Sequence, residues 1–333
     1  MRAIVINSWL EGPSDLKVTD IPVPAAKDGE LLVKVDSAGV NFFDTLMVTG
    51  KYQVKPPFPF TPGAEFSGTV VKATSDLRFK VGDRVFGSNV TGAYAEFIAV
   101  PSIYCFPIPP SLSFEQAAGI FISYPTSYAG LVLRAKVQKG DWVLVHAAAG
   151  GVGIAAVQIA KALGARVIAA TGSRGKFDIC RQQGADHCIC YNDSDWTGQV
   201  LKLTGRKGAD VVYDPVGKVG ESLKCVAWNG RIVVVGFAAG AIEKIATNRV
   251  LLKNVAITGV YWNGYVHNEP EKISEVWDAL FKLVEDGLVR PVVFQPIFHG
   301  LDQVKDALRA IARRKTYGKA VVKPSAGPSI PKL

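Results

Sequence analysis

The segment from Trp142 to Lys176 constrains the fold more than any other part of this 333-residue chain. Trp142 to Val145 form a short apolar run, small residues fill Ala147 to Gly151, and Val152 to Leu163 carry apolar residues at helical spacing as far as Gly164. A second apolar run, Arg166 to Ala170, follows. Strand, glycine turn, helix and strand in this order are the opening unit of a doubly wound parallel sheet. The turn lies where a strand ends and a helix begins, and there backbone N–H groups and the helix dipole favour a pyrophosphate. Gly150 lets the backbone approach the phosphates, Gly153 lets the helix pack closely on the strand, and Ala149, Gly151 and Val152 complete the expected cradle. Ala148 stands where the dinucleotide fingerprint has its first glycine, which is tolerable if φ stays negative at that residue.

The end of the second strand bears on which dinucleotide is held. A site for NAD usually places Asp or Glu about twenty residues past the turn, to bind the ribose hydroxyls. Here those positions read Thr171, Gly172, Ser173, Arg174, Gly175 and Lys176. A carboxylate would repel a 2′-phosphate, whereas Ser173 and Lys176 can donate to one, so NADPH is expected over NADH. The alternative reading is that Arg174 and Lys176 are solvated charges at a helix start.

The text before residue 124 has a different style, rich in Gly and Pro, with short β-type runs such as "ELLVKV", "FSGTVV", "GDRVFG" and "AYAEFIAV". Beyond it, "ADVVYD", "GRIVVVGF" and "NVAITGV" continue the parallel-sheet pattern. After "YWNGY" come an amphipathic helix closed by Gly287, a strand "VVFQPIF", a helix "LDQVKDALRAIARR" and a last strand "KAVV". The tail "PSAGPSIPKL" reads as unstructured.

Composition excludes several classes of function. No run approaches the roughly 18 apolar residues of a membrane span, and the chain opens directly on a strand-like "MRAIVI", so no signal peptide is expected. The five cysteines form no CxxC pair, which argues against a disulfide framework or zinc ribbon and for a reducing, intracellular compartment. The net charge of +9 is dispersed, and its densest cluster, Arg309 to Lys315, has no interleaved aromatics, so charge alone does not argue for an RNA partner.

The runs "AGVNFFD", "PFTPGAEFSG", "GDRVFG", "AAAGGVGIAAVQIAKALGA", "VVYDPVG" and "YGKAVV", in this order over essentially the whole chain, resemble the medium-chain dehydrogenase/reductase superfamily. Within it they resemble the zinc-free quinone oxidoreductase branch, typified by zeta-crystallin. The resemblance implies an α/β protein: a GroES-like β-rich catalytic domain (residues 1–123 and 263–333) around a Rossmann NADP-binding domain (residues 124–262). It implies NADPH, a homodimer, and hydride transfer to a quinone or related enone. Zinc members carry Cys where this chain has Asn41 and His where it has Ala64, so no metal is expected.

By the same resemblance Asn41 lies near the nicotinamide and the substrate carbonyl, Tyr52 and Tyr124 line the pocket, and Thr126 lies near the cofactor. Ser173, Lys176, Tyr191, Phe237 and Arg314, the last on a helix, match cofactor-binding positions. Some relatives have a pocket tyrosine where this chain has Leu46, which weakens the case for a tyrosine proton donor. A 2-enoyl-thioester or alkenal reductase is the alternative within enzymes; an RNA-binding or crystallin-like structural protein is the alternative outside them. A dimer is expected through the edge run "NVAITGVYW" (Asn254 to Trp262). The expected location is the cytoplasm, with a peroxisomal alternative because "PKL" resembles an SKL-type address.

Overall fold

The computed structural model describes residues 1–74 and 78–325, so the closing "PKL" and the peroxisomal reading built on it lie outside the described residues. The chain divides into two compact units, Met1–Ile122 with Pro291–Leu333 (unit 1) and Ser123–Arg290 (unit 2).

Unit 1 begins with a two-stranded antiparallel pair, β1 (Arg2–Ile4) and β2 (Val18–Asp20). Its main sheet uses β3 (Glu30–Val40), β4 (Glu65–Ala73), β5 (Arg84–Ser88), β6 (Phe97–Pro101) and β7 (Cys105–Pro107). A short helix, α1 (Phe42–Val48), separates β3 from β4, and a second, α2 (Phe114–Ala118), follows β7. The inward positions of β3, Leu31, Val33 and Val35, alternate with more exposed ones, the period-two pattern of a strand with one packed face.

Unit 2 opens with α3 (Ser123–Tyr128), β8 (Trp142–His146), α4 (Gly151–Ala162) and β9 (Arg166–Thr171). There follow α5 (Phe177–Gln182), β10 (His187–Cys190), α6 (Trp196–Leu203) and β11 (Ala209–Asp214). Next come α7 (Val219–Ser222), β12 (Val226–Val234), α8 (Thr247–Lys253) and β13 (Ala256–Gly259). The six strands are parallel in the order β10-β9-β8-β11-β12-β13, which is the Rossmann order with its reversal between β8 and β11. Valine and isoleucine fill β8, β9 and β11 because helices cover both faces of such a sheet.

Two more helices, α9 (Trp262–Asn268) and α10 (Glu271–Glu285), belong to unit 2, although the sequence reading assigned residues 263 onward to the other domain. The apolar stripe of α10, Val276, Trp277, Leu280 and Val284, is buried, and the helix packs on α3. The chain then returns to unit 1 with β14 (Phe298–His299), α11 (Val304–Ala312) and β15 (Ala320–Lys323), and β15 pairs antiparallel with β3. The run "VVFQPIF" is not the continuous strand expected: it offers an isolated bridge at Val293 and, at its last residue Phe298, the first residue of β14. Pro296 interrupts it with a residue that has no N–H to donate.

At the two chain crossings, Gln158 on α4 holds both ends of unit 2. Its Oε1 accepts from the Tyr124 hydroxyl (3.0 Å) and the Arg290 N–H (3.2 Å), and its Nε2 donates to the Arg290 carbonyl (2.8 Å). In unit 1, Gln116 Nε2 donates to the Pro291 carbonyl (3.3 Å).

Candidate functional site

In unit 2 the turn from β8 into α4 sits at the strand-order reversal, on the carboxyl side of the sheet, where open α/β sheets bind ligands. Ala148 is not in the left-handed region, as the sequence required. Its neighbour Ala147 is, with φ of 46°. The Ala147 carbonyl accepts from Gly150 N–H (2.8 Å), and Ala148 N–H donates to Ala170 on β9 (3.1 Å). A Cβ on Gly153 would lie 2.2 Å from the Ala147 carbonyl oxygen, so only glycine lets α4 start this close to the turn. Gly150 caps α4, and the N–H groups of Gly151, Val152 and Gly153 in its first turn have no intrahelical acceptor. The cradle therefore has the small-residue packing and the donor set that a pyrophosphate needs.

Ser127 braces this cradle. Its hydroxyl donates to the Val152 carbonyl (2.8 Å) and lies 2.9 Å from the Tyr213 hydroxyl, joining α3, α4 and β11. Thr126, one residue earlier on α3, is partly exposed.

At the ends of β9 and β10 the structure gathers Ser173, Lys176 and Tyr191. Ser173 is exposed and extended, its carbonyl accepts from Thr171 Oγ1 (2.8 Å), and Lys176 N–H closes a tight turn back onto it (3.3 Å). Tyr191 N–H donates to the Thr171 carbonyl (3.0 Å), which brings its hydroxyl beside Gly172. Arg174 instead makes an exposed ion pair with Asp193 (2.8 Å).

Beside the cradle, Asp214 at the end of β11 accepts the N–H groups of Val216 (2.8 Å), Gly217 (3.0 Å) and Lys218 (2.5 Å). The loop after β12 leans on that turn through Ala238 N–H to Pro215 and Ala239 N–H to Val216, and Phe237 packs against Gly217. His146 is buried below, with Nε2 2.9 Å from Ser222 Oγ; desolvation lowers its pKa to about 4, so the ring is neutral at neutral pH. Tyr124 is buried at 1% exposure, with its hydroxyl donating to Gln158 Oε1.

Unit 1 carries Asn41, Tyr52 and Arg314. Asn41 caps α1: its N–H donates to Asp44 Oδ2 (2.8 Å), the same oxygen that accepts from the Tyr94 hydroxyl (2.6 Å). Burial pushes the Asp44 carboxyl up to about 6 and raises the Tyr94 phenol well above its ordinary value. The Asn41 side chain donates from Nδ2 to Glu65 Oε1 (2.9 Å) and accepts at Oδ1 from Lys319 Nζ (2.6 Å). Tyr52 stacks on Phe43 of α1 with ring centroids 5.2 Å apart. Arg314 is not on a helix. It follows the end of α11 in the left-handed region, with φ of 57°.

Sequence reasoning missed Glu65, Lys319 and Asp44 as parts of this arrangement. The available signal was a charge inside an apolar run, as in "PGAEFSG" and "YGKAVV". Among the described residues no three His, Cys, Asp or Glu side chains come together as a metal site, and no helix is long and apolar enough to cross a membrane.

Two families match the chain: alcohol dehydrogenase GroES-like domain over residues 27–110 and zinc-binding dehydrogenase over residues 151–282. The chain is 40% identical to quinone oxidoreductase-like protein 2 homolog of Nematostella vectensis over 298 residues, covering 88% of this chain and 81% of the relative. It is 39% identical to quinone oxidoreductase-like protein 2 of Mus musculus over 300 residues, covering 88% and 84%. Among solved structures it is similar to Escherichia coli quinone oxidoreductase complexed with NADPH, with a TM-score of 0.88 and 30% identity over 97% of this chain and 100% of that one.

Proposed function

The chain belongs to the medium-chain dehydrogenase/reductase superfamily, in its quinone oxidoreductase-like branch, and from that premise we propose that it is an NADPH-dependent reductase of quinones or related enones. The observation that carries this reading is the gathering of Ser173, Lys176 and Tyr191 beside a glycine cradle, with no Asp or Glu among residues 171–176. Its support from outside the chain is that the E. coli relative was solved with NADPH.

In this reading the first-turn N–H groups of α4 hold the pyrophosphate, and Ser173, Lys176 and Tyr191 receive the 2′-phosphate. Phe237 and Thr126 bound the nicotinamide end. The bound cofactor supplies the hydride. Asn41 would supply a hydrogen bond to the substrate's carbonyl oxygen, where charge collects as the hydride adds to a conjugated carbon and which a solvent proton then neutralises, and Tyr52 would line the substrate side. Reduction needs no metal at residues 41 and 64, because Ala64 has no donor atom and a conjugated carbonyl spreads the added charge onto its own oxygen. NADPH oxidation with a panel of quinones, alkenals and enoyl thioesters tests this. Turnover is expected with quinones or simple enones after metal chelation, and absence of turnover with every acceptor would overturn the reading.

A further inference from the structure

Two runs that marked the family, "PGAEFSG" and "YGKAVV", meet in the core of unit 1 although their charged residues are 254 positions apart in sequence. Lys319 Nζ lies 2.5 Å from Glu65 Oε1, with the two side chains 5% and 0% exposed. A buried ion pair is weak evidence for added stability, because desolvation offsets much of its attraction. Its geometry is more informative. Lys319 also donates to Asn41 Oδ1 (2.6 Å), and Asn41 Nδ2 donates back to the same Glu65 oxygen (2.9 Å), closing a three-membered ring of buried polar groups. The second Glu65 oxygen accepts from Ile122 N–H (3.1 Å), and Gly39 on β3 clears the space, since a Cβ there would lie 2.7 Å from Glu65 Oε1.

The ring fixes what Asn41 can offer a ligand. An amide flip would turn its NH2 toward an ammonium and its oxygen toward a carboxylate, so one orientation alone satisfies both partners. The oxygen is taken by Lys319, one Nδ2 hydrogen is taken by Glu65, and the main-chain N–H is taken by Asp44. What remains is the second Nδ2 hydrogen. Withdrawal of electron density by the cation on Oδ1 makes that hydrogen a stronger donor. Asn41 keeps 8% of its surface exposed.

We propose that Glu65 and Lys319 are positioning residues which lock Asn41 as a one-way, polarised hydrogen-bond donor toward the carbonyl oxygen of a conjugated ketone or quinone. This rests on the reading that Asn41 faces the substrate carbonyl. The ring then gives the chain a fixed dipole at the oxygen where charge develops, and a dipole already in place costs no reorganisation during hydride transfer.

The test uses the full chain with NADP⁺ and cyclohex-2-enone carrying a 13C-labelled carbonyl, a combination in which no hydride is available. Difference infrared spectroscopy of the wild-type complex is expected to show the carbonyl stretch shifted to lower frequency. The neutral double variant Glu65→Gln/Lys319→Met is expected to lose most of that shift, and Lys319→Arg to keep it. In turnover with NADPH the double variant should lose about tenfold or more in kcat, as removal of an oxyanion donor does, with the KM for NADPH unchanged. An unshifted carbonyl in the wild type, or a full shift in the folded double variant, overturns the proposal. If the double variant does not fold, Asn41→Asp decides, since aspartate offers no N–H: a retained shift overturns the proposal and a lost shift supports it. A shifted carbonyl without any NADPH turnover would leave the donor assignment standing and remove the reductase reading; turnover without a shift would do the reverse.

Discussion

The Tyr94 hydroxyl donates a 2.6 Å hydrogen bond to Asp44 Oδ2 in the interior of unit 1, and burial holds that carboxyl protonated up to about pH 6. His146, in unit 2, is depressed to about 4 by its own burial. The two act in opposite directions over one pH range. Asp44 has a raised folded-state pKa, so its contribution to stability is complete below 3.8 and is lost as pH rises through about 6. His146 has a lowered one, so its contribution is complete above 6.5 and is lost as pH falls toward 4. Between about pH 7.5 and 5, linkage removes stability at His146 and adds it at Asp44, each on the order of 1–2 kcal/mol. Urea denaturation should therefore show a nearly level wild type, an Asp44→Asn variant that weakens on acidification, and a His146→Asn variant that strengthens. Parallel pH profiles in all three proteins would contradict the assignment.

The 2′-phosphate role proposed for Ser173, Lys176 and Tyr191 is tested by cofactor choice. Lys176→Ala should raise the KM for NADPH about tenfold or more and leave NADH almost untouched, because a charge-assisted bond to the 2′-phosphate contributes about 1.5–3 kcal/mol. Ser173→Asp should go further and improve NADH, by repelling the phosphate and accepting from the ribose hydroxyls. Equal weakening of both cofactors by Lys176→Ala would remove the phosphate role.

Gly153→Ala forces its new methyl against the backbone of Ala147 at 2.2 Å, a contact no side-chain adjustment relieves. The α4 start must move away from the turn. Nucleotide affinity measured by isothermal titration should fall about a hundredfold or more, with a loss of about 1–3 kcal/mol in stability. Near-normal affinity in this variant would mean that the cradle is not where the pyrophosphate binds.

Arg314 holds φ at 57° just past α11, where glycine is the usual residue. Arg314→Gly relieves about 1 kcal/mol of backbone strain, so thermal stability should rise by a few degrees at most. If the guanidinium also serves the cofactor, as the family resemblance implies, the KM for NADPH should rise in the same variant while that for NADH stays constant.

The expected dimer through residues 254–262 remains a proposal, and β13 now gives it a concrete form. The strand is the sheet edge, pairs with β12 on one side, and has Leu251, Leu252 and Tyr261 exposed around it. Such an edge invites antiparallel pairing with a second copy. Light scattering should report a dimer that Ile257→Lys dissociates; a monomeric wild type at micromolar concentration would exclude it.

Much of unit 2 was legible because local chemistry dictates it. Buried parallel strands need unbroken apolar runs, and a turn packed against a helix start needs glycine at 150 and 153, so both leave marks in consecutive residues. What was not legible depends on contacts between distant residues. Asn41, Glu65 and Lys319 lie on three separate stretches, and only the pairing of β3 with β4 and β15 brings them into one ring. Tyr124 shows the same limit: its hydroxyl bonds to Gln158, 34 residues further along the chain, a partner that no local pattern announces. The assignment of α10 went astray for a related reason, since an amphipathic stripe shows that a helix is buried without showing against what.

Gln158 holds Tyr124 and Arg290 together, so the first and last turns of unit 2 are joined at their root by a single side chain. A segment of 168 consecutive residues, 123 to 290, whose two ends lie one amide apart, can be spliced into a host chain without stretching it. Gln116 does the corresponding work in unit 1 by securing Pro291 to α2. The discontinuity of unit 1 in sequence is thus compatible with its continuity in space, and the nucleotide module has the architecture of a cassette. Its boundaries for transplantation into another scaffold are set by hydrogen bonds and not by sequence position.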